Sequence, residues 1–163
     1  MKWIKLTAFS VLVLPLFVSL SSCEKDAEKK KVLEYSKLNI VLTGAQEAPA
    51  SNSTALGSMD VNYRRDTRTL NYTIRWSGLT GPPIGVNIFG LAPAGYASPS
   101  VVQTILAASN PTLFPANSGT YTGFMFCEGA NVKEVDLLNG LFYMNIRTAA
   151  NPGGEIRGQI RFQ

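Results

Sequence analysis

The chain has 163 residues, with 15 Lys and Arg against 11 Asp and Glu, two Cys and no His. The missing imidazole excludes a His-based triad, a His-ligated zinc or copper centre and a His-ligated haem. Without Lys2 and Lys5 of the leading segment, Lys and Arg fall from 15 to 13 and the formal charge from +4 to +2. Lys25, Lys29, Lys30 and Lys31 share one short run, so the remainder is near neutral and the pI of 9.2 marks no nucleic-acid surface.

Residues 1–22 read as a secretory signal: Lys2 and Lys5 precede an apolar run, Ala8 to Leu20, that is too short for a stable membrane span. The run closes on Leu20-Ser21-Ser22-Cys23, which resembles a bacterial lipobox. The resemblance implies cleavage before Cys23 and acylation of its sulfur; an ordinary signal peptide containing a cysteine is the alternative. Two acyl chains with an amide-linked third, as this lipoprotein class carries, anchor stably where one chain would not. Glu24 rather than Asp follows Cys23, so the inner-membrane retention signal is missing and the resemblance implies the outer membrane, on its periplasmic or surface side. Residues 23–36 are charged and poor in apolar residues, and read as a tether. A lipidated Cys23 leaves Cys127 without a disulfide partner.

The region 37–163 is long enough for one domain with a core. Leu38, Ile40 and Leu42 share a phase and predict a first strand over Lys37–Thr43, followed by a loop over Gln46–Thr54. Met59, Val61 and Tyr63 predict an inward face for a strand over Ala55–Arg64. After a turn at Arg65-Asp66, Leu70, Tyr72, Ile74 and Trp76 predict the returning strand of a hairpin. Gly78–Pro83 is a break, and Val86 and Ile88 mark a strand over Ile84–Leu91. Residues 92–118 are rich in Pro, Ala and Ser, with a short apolar piece at Val101–Leu106, and read as a long excursion at one end of the sheets. Tyr121–Cys127 reads as a strand. Asn131 with Glu134 has the pattern of a helix N-cap and its reciprocal acid, Val132, Val135 and Leu138 have helical spacing, and Gly140 is the expected stop.

The last segment is the most informative. Phe142, Met144 and Ile146 alternate with Tyr143, Asn145 and Arg147; Ile156, Ile160 and Phe162, with Gly158 in phase, alternate with Glu155, Arg157, Gln159 and Arg161. Between the two runs, Asn151-Pro152-Gly153-Gly154, followed by Glu155, supplies a turn. Placing Ile146 and Ile160 on one face requires an odd loop, read as three or five residues, and sets Arg147 directly or diagonally opposite Glu155 or Arg157. These elements together predict an all-β fold, an antiparallel β-sandwich of about seven strands with one short helix before the C-terminal hairpin.

Tyr143, Asn145, Thr148, Ala149, the run Asn151–Arg157, Gly158 and Gln159 resemble the C-terminal signature of the CHRD domain, and Leu42-Thr43-Gly44-Ala45-Gln46-Glu47-Ala48-Pro49 resembles its opening motif. The resemblance spans roughly residues 37 to 162, a single copy. Many CHRD domains carry His-x-His-Gly at the position of Asn87-Ile88-Phe89-Gly90, and a His at the position of Arg147. Whatever metal or proton-transfer role those residues have elsewhere does not transfer to Asn87, Phe89 and Arg147.

Little else carries chemistry. Glu47, Glu128 and Glu155 stand alone and read as solvated or hairpin-paired; Glu155 is the expected partner of Arg147, Arg157 or a backbone donor. Ser51 to Thr54 is loop, Gly153-Gly154 lacks a phosphate-loop setting, and Cys127 follows Phe124-Met125-Phe126 as a buried, inert thiol. Tyr63, Tyr72 and Trp76 read as core. The reading is therefore of a lipid-anchored envelope protein, a monomer and not an enzyme, without metal or cofactor, that binds an envelope protein or glycan or serves structurally. Its candidate surface patch is Asn87, Phe89, Tyr143 and Arg147. Two alternatives stand beside it: an enzyme with a site in the 92–118 excursion, and a domain binding a metal through oxygen ligands, for which no Asp-rich loop exists.

Overall fold

Alternation places an apolar stripe on each of eight strands in a computed structural model that describes residues 33–106 and 117–163. The signal segment 1–22, Cys23 and the tether as far as residue 32 lie outside the described residues, as do residues 107–116 of the excursion. The strands are β1 (Glu34–Thr43), β2 (Leu56–Arg64), β3 (Thr69–Ser77), β4 (Pro83–Gly90), β5 (Val101–Leu106), β6 (Gly119–Phe126), β7 (Phe142–Thr148) and β8 (Ile156–Gln159), with one helix, α1 (Glu134–Leu138). The expected all-β antiparallel class holds. The piece at Val101–Leu106 supplies an eighth strand.

All eight strands join one sheet in the order β5-β4-β7-β8-β1-β2-β3-β6, every pairing antiparallel. The sheet curls until its two halves face each other across one core, so that it is nearly closed. Met59, Val61, Leu70, Tyr72 and Ile74 meet Val86, Ile88, Phe142, Met144, Ile146 and Ile156 in the same buried cluster. Its two edges, β5 and β6, are stitched by a side chain: Gln103 Nε2 donates to Phe124 O at 3.0 Å and Gln103 Oε1 accepts from the Tyr72 hydroxyl at 2.9 Å. An edge that would otherwise invite pairing with another chain is thereby partly covered.

Four local expectations change. β1 starts at Glu34, inside the segment read as tether, and Tyr35 packs against the core and against Phe162, ring centroids 6.0 Å apart. Leu38 is 65% exposed although Leu42 is fully buried, because the β1–β2 register shifts between Lys37 and Ile40, with Asn39 at φ 56°. A bulge reverses the inward phase, and the Asn39 N–H it releases donates to Asp60 Oδ1 at 2.9 Å. In α1 the N-cap is Lys133, without a side-chain cap, and Asn131 caps nothing. Glu134 instead accepts from the Tyr63 hydroxyl at 3.0 Å and from Arg65 Nε at 2.7 Å, a pairing that tilts the buried stripe to Val132 and Leu137 and leaves Val135 exposed. The C-terminal hairpin pairs Ile146 with Ile156 and Asn145 with Arg157, so its connection, residues 149–155, is odd as required but longer than three or five. Gly140, at φ 72°, ends the last turn after α1 in the left-handed conformation expected of it.

Candidate functional site

The face of β4, β7 and β8 turned away from the core carries three polar rows. Gly85 pairs with Arg147; Asn87 with Asn145 and, across β8, with Arg157 and then Thr43 of β1; Phe89 with Tyr143 and then Gln159. An outward face of an antiparallel sheet is ordinarily solvated. Here Asn87, Tyr143, Asn145, Arg157 and Gln159 are all at most 5% exposed, because the connections after β1 and after β4 fold over them.

Arg157 is the centre of this layer. Its Nη1 donates to Tyr96 O at 2.9 Å, and its Nη2 donates to Gln159 Oε1 at 2.9 Å and Pro93 O at 3.4 Å. Its guanidinium lies 3.4 Å from the centroid of the Tyr143 ring, which stacks in turn on Phe89 with centroids 5.1 Å apart. Gln159 Nε2 donates to Ala92 O at 2.9 Å and Gly140 O at 2.7 Å, and the Tyr143 hydroxyl accepts from Ser98 N–H at 3.2 Å. The bonds to Pro93, Tyr96, Ala92, Ser98 and Gly140 join the sheet to the 91–100 connection and to the turn after α1. Burial holds the Arg157 guanidinium below its ordinary value, offset in part by Tyr143 and Glu47.

Two carboxyl groups lie at the other end of the layer. Glu155 is fully buried and accepts from Ser53 Oγ at 2.7 Å, from Thr80 N–H at 2.8 Å and from Thr80 Oγ1 at 2.7 Å, with Thr148 Oγ1 beside them. Burial pushes its carboxyl up, but these donors outweigh it and hold the group below its ordinary value. Glu47 is the opposite case. Its Oε1 is buried without a hydrogen-bond partner, and burial raises the carboxyl from 4.5 to about 7 against the pull of Arg157 and Asn145. A Cβ on Gly154 would fall on this carboxylate and within 2.7 Å of Asn145 Nδ2, so only glycine lets the turn close over it. Asn145 Nδ2 donates to Gly153 O at 3.1 Å and Asn87 Nδ2 to Asn145 Oδ1 at 3.3 Å.

The four residues expected to form a surface patch do share this face, but they do not form a surface. Asn87 and Tyr143 are 2% and 3% exposed, and only Phe89 and Arg147 are partly open. Arg147 lies opposite Glu155 in register, yet no ion pair joins them: the hydroxyls of Ser53, Thr80 and Thr148 hold that carboxylate, and Arg147 Nε is buried without a partner. In the turn Asn151–Glu155, Asn151 O accepts from Gly154 N–H at 3.2 Å. Glu47 and Glu155 are buried rather than solvated, and Glu128 is exposed. The sequence pattern does not point to Arg157, Gln159 and Glu47 as site residues. Alternation marks the first two as outward, and only the covering loops bury them.

The signal that finds them is the pair of motifs at the two ends of the chain. Glu47 of the opening motif packs onto Gly154, beside Asn145 and Arg157 of the closing one, so residues distant in sequence form one buried polar layer. The family model for the CHRD domain matches residues 38–160. The chain belongs to the CHRD family. No curated protein and no solved structure matches it. In this CHRD domain Asn87, Phe89 and Arg147, which stand where the resemblance implies His, lie on adjacent rows of one face. Among the described residues, no group of three or more His, Cys, Asp or Glu is placed to hold a metal. Cys127 of the CHRD domain is buried away from this layer, and burial pushes its thiol up to about 11.

Proposed function

We propose that this CHRD domain is a non-catalytic binding or structural module, held at the outer membrane by a lipid on Cys23 and projected by the segment that follows. The observation that carries the reading is the state of the buried polar layer on β4, β7 and β8. Arg157, Gln159 and Asn145 donate to carbonyls of Pro93, Tyr96, Ala92, Gly140 and Gly153, which belong to the domain's own connections. Donors engaged in this way fix loops in place of meeting a developing charge.

A second reading has one observation in its favour. A carboxyl raised to about 7, as in Glu47, is poised for proton transfer near neutral pH. Against it, the carboxylate is covered by Gly154 and Asn145.

The anchor is tested by mass analysis of the mature N-terminus and by fractionation. The expected result is a lipid mass on Cys23 and a protein that follows the membrane fraction, with Cys23→Ser found soluble or uncleaved. A mature N-terminus elsewhere, without lipid, overturns the anchor.

A further inference from the structure

Beside the buried layer, where β1 and the end of the chain run next to each other, lies an open pocket of about 310 Å³ with Gln159 as part of its floor. Lys37 and Arg161 line it, with the amide side chains of Gln46 and Gln163 and the apolar Val41 and Ala94. Among the described residues, no acidic side chain lines it. Lys37 and Arg161 are both exposed, and neither has an ion-pair or hydrogen-bond partner among the described residues. Two unneutralised cations converging on one concavity favour an anion, and a guanidinium adds a fork suited to an oxyanion. Gln46 Nε2 donates to Val41 O at 2.9 Å and to Thr43 Oγ1 at 3.4 Å, which leaves its Oε1 to accept from a hydroxyl group, and the Gln163 amide supplies both a donor and an acceptor. Val41 is 55% exposed and, with Ala94, offers the small apolar area on which the C–H face of a sugar ring rests.

The pocket's wall is also fixed before any ligand arrives. Ala94 sits between Pro93 and Tyr96, whose carbonyls accept from the buried Arg157, and Gln159 of the floor is locked by Ala92 O and Gly140 O. A rigid wall lowers the ordering cost of binding, which matters most for small polar ligands. We infer that this pocket binds an acidic sugar, with Lys37 and Arg161 on its carboxylate or phosphate and the glutamine amides on its hydroxyls. The inference rests on the reading of the domain as a binding module and names its ligand class.

The test is an amide chemical-shift titration of the full chain with D-glucuronate, glucose 6-phosphate and glucose, alongside sedimentation with phosphatidylglycerol vesicles. The expected result is saturable shifts at Val41, Ala94 and Arg161 with the two acidic sugars, with Kd in the millimolar range typical of single-sugar contacts, and none with glucose. The double substitution Lys37→Ala with Arg161→Gln, both at exposed positions, is expected to weaken the acidic sugars by about tenfold or more. Absence of saturable shifts with both acidic sugars overturns the inference, as do equal shifts with glucose or an unchanged affinity in the double variant. Binding to the vesicles alone, lost in the double variant, assigns the cations to a lipid phosphate and also overturns it. None of these outcomes alters where the Cys23→Ser protein fractionates, so failure here is distinct from failure of the anchor.

Discussion

Arg147 and Arg157 stand on the same face of the same hairpin, and their contacts make them energetically unlike. Arg157 donates to Tyr96, Pro93 and Gln159 and lies over Tyr143; replacing it by Met strands the buried Gln159 Oε1, takes the donor from the part-buried Tyr96 and Pro93 carbonyls and removes the packing on Tyr143, and an unsatisfied buried polar group is expensive. Urea denaturation is expected to show a loss on the order of 3 kcal/mol or more for Arg157→Met. Arg147 has a buried Nε with no partner, so Arg147→Met is expected within about 1 kcal/mol of wild type, on either side. Equal losses for the two variants would refute the assignment of the strut to Arg157.

Glu47 gives the same residue-level logic a pH dependence. Its folded-state value of about 7 lies above the ordinary 4.5, so the folded protein binds the extra proton between these values. Its favourable neutral form is therefore fully present below pH 4.5 and is lost as pH rises through 7, a change of ~3 kcal/mol. Glu155 runs the other way: its value is depressed, so its contribution is present above the ordinary carboxyl range and is lost as pH falls through the folded value. Glu47→Gln copies the neutral form. It is expected to leave the melting temperature near wild type at pH 4.5 and to raise it at pH 8. A variant less stable than wild type at pH 8 would show that the charged form is the one the fold needs.

At the scale of the element, the C-terminal hairpin was the most legible part of the sequence and its partner loops the least. Strict alternation of Phe142, Met144 and Ile146 against Ile156 and Ile160 requires an even-sum register, and Ile146 opposite Ile156 obeys it, although the length of the connection does not follow from parity. The hairpin of β2 and β3 was legible for the same reason, with Met59 opposite Ile74 and Val61 opposite Tyr72. The bulge in β1 was not: Leu38, Ile40 and Leu42 alternate without interruption, and the slip is set by how Asn39 and Asp60 meet across strands. Nor could burial of Arg157 and Gln159 be read, because alternation reports the face and says nothing of what later covers it. Glycine at 154 links the two scales. Gly154→Ala puts a methyl group against Glu47 Cδ at 2.6 Å and Asn145 Nδ2 at 2.7 Å. Thermal denaturation is expected to show a cost of ~1–3 kcal/mol, the range for overpacking, and a smaller cost when Glu47 is also shortened to Ala. Additive effects of the two substitutions would contradict the contact.

At the scale of the whole molecule, one nearly closed sheet has two outer faces with different fates. On β2, β3 and β6 the outer residues remain at the surface, where Asp60 pairs with Arg75 at 2.7 Å and Thr73 with Thr122 at 3.0 Å. On β4, β7 and β8 they are roofed by connections that the buried donors hold down. The loops of the domain are thereby positioned by its own polar layer, and the proposed binding or structural role rests on that arrangement. Hydrogen exchange of the full chain with Arg157→Met tests this most directly. The amides of Gly90, Ala92 and Ser98, bonded to Ser100 O, Leu141 O and the Tyr143 hydroxyl, are expected to lose more protection than the amides pairing β2 with β3. Unchanged protection across 90–98 in that variant, with unchanged stability, would contradict the account.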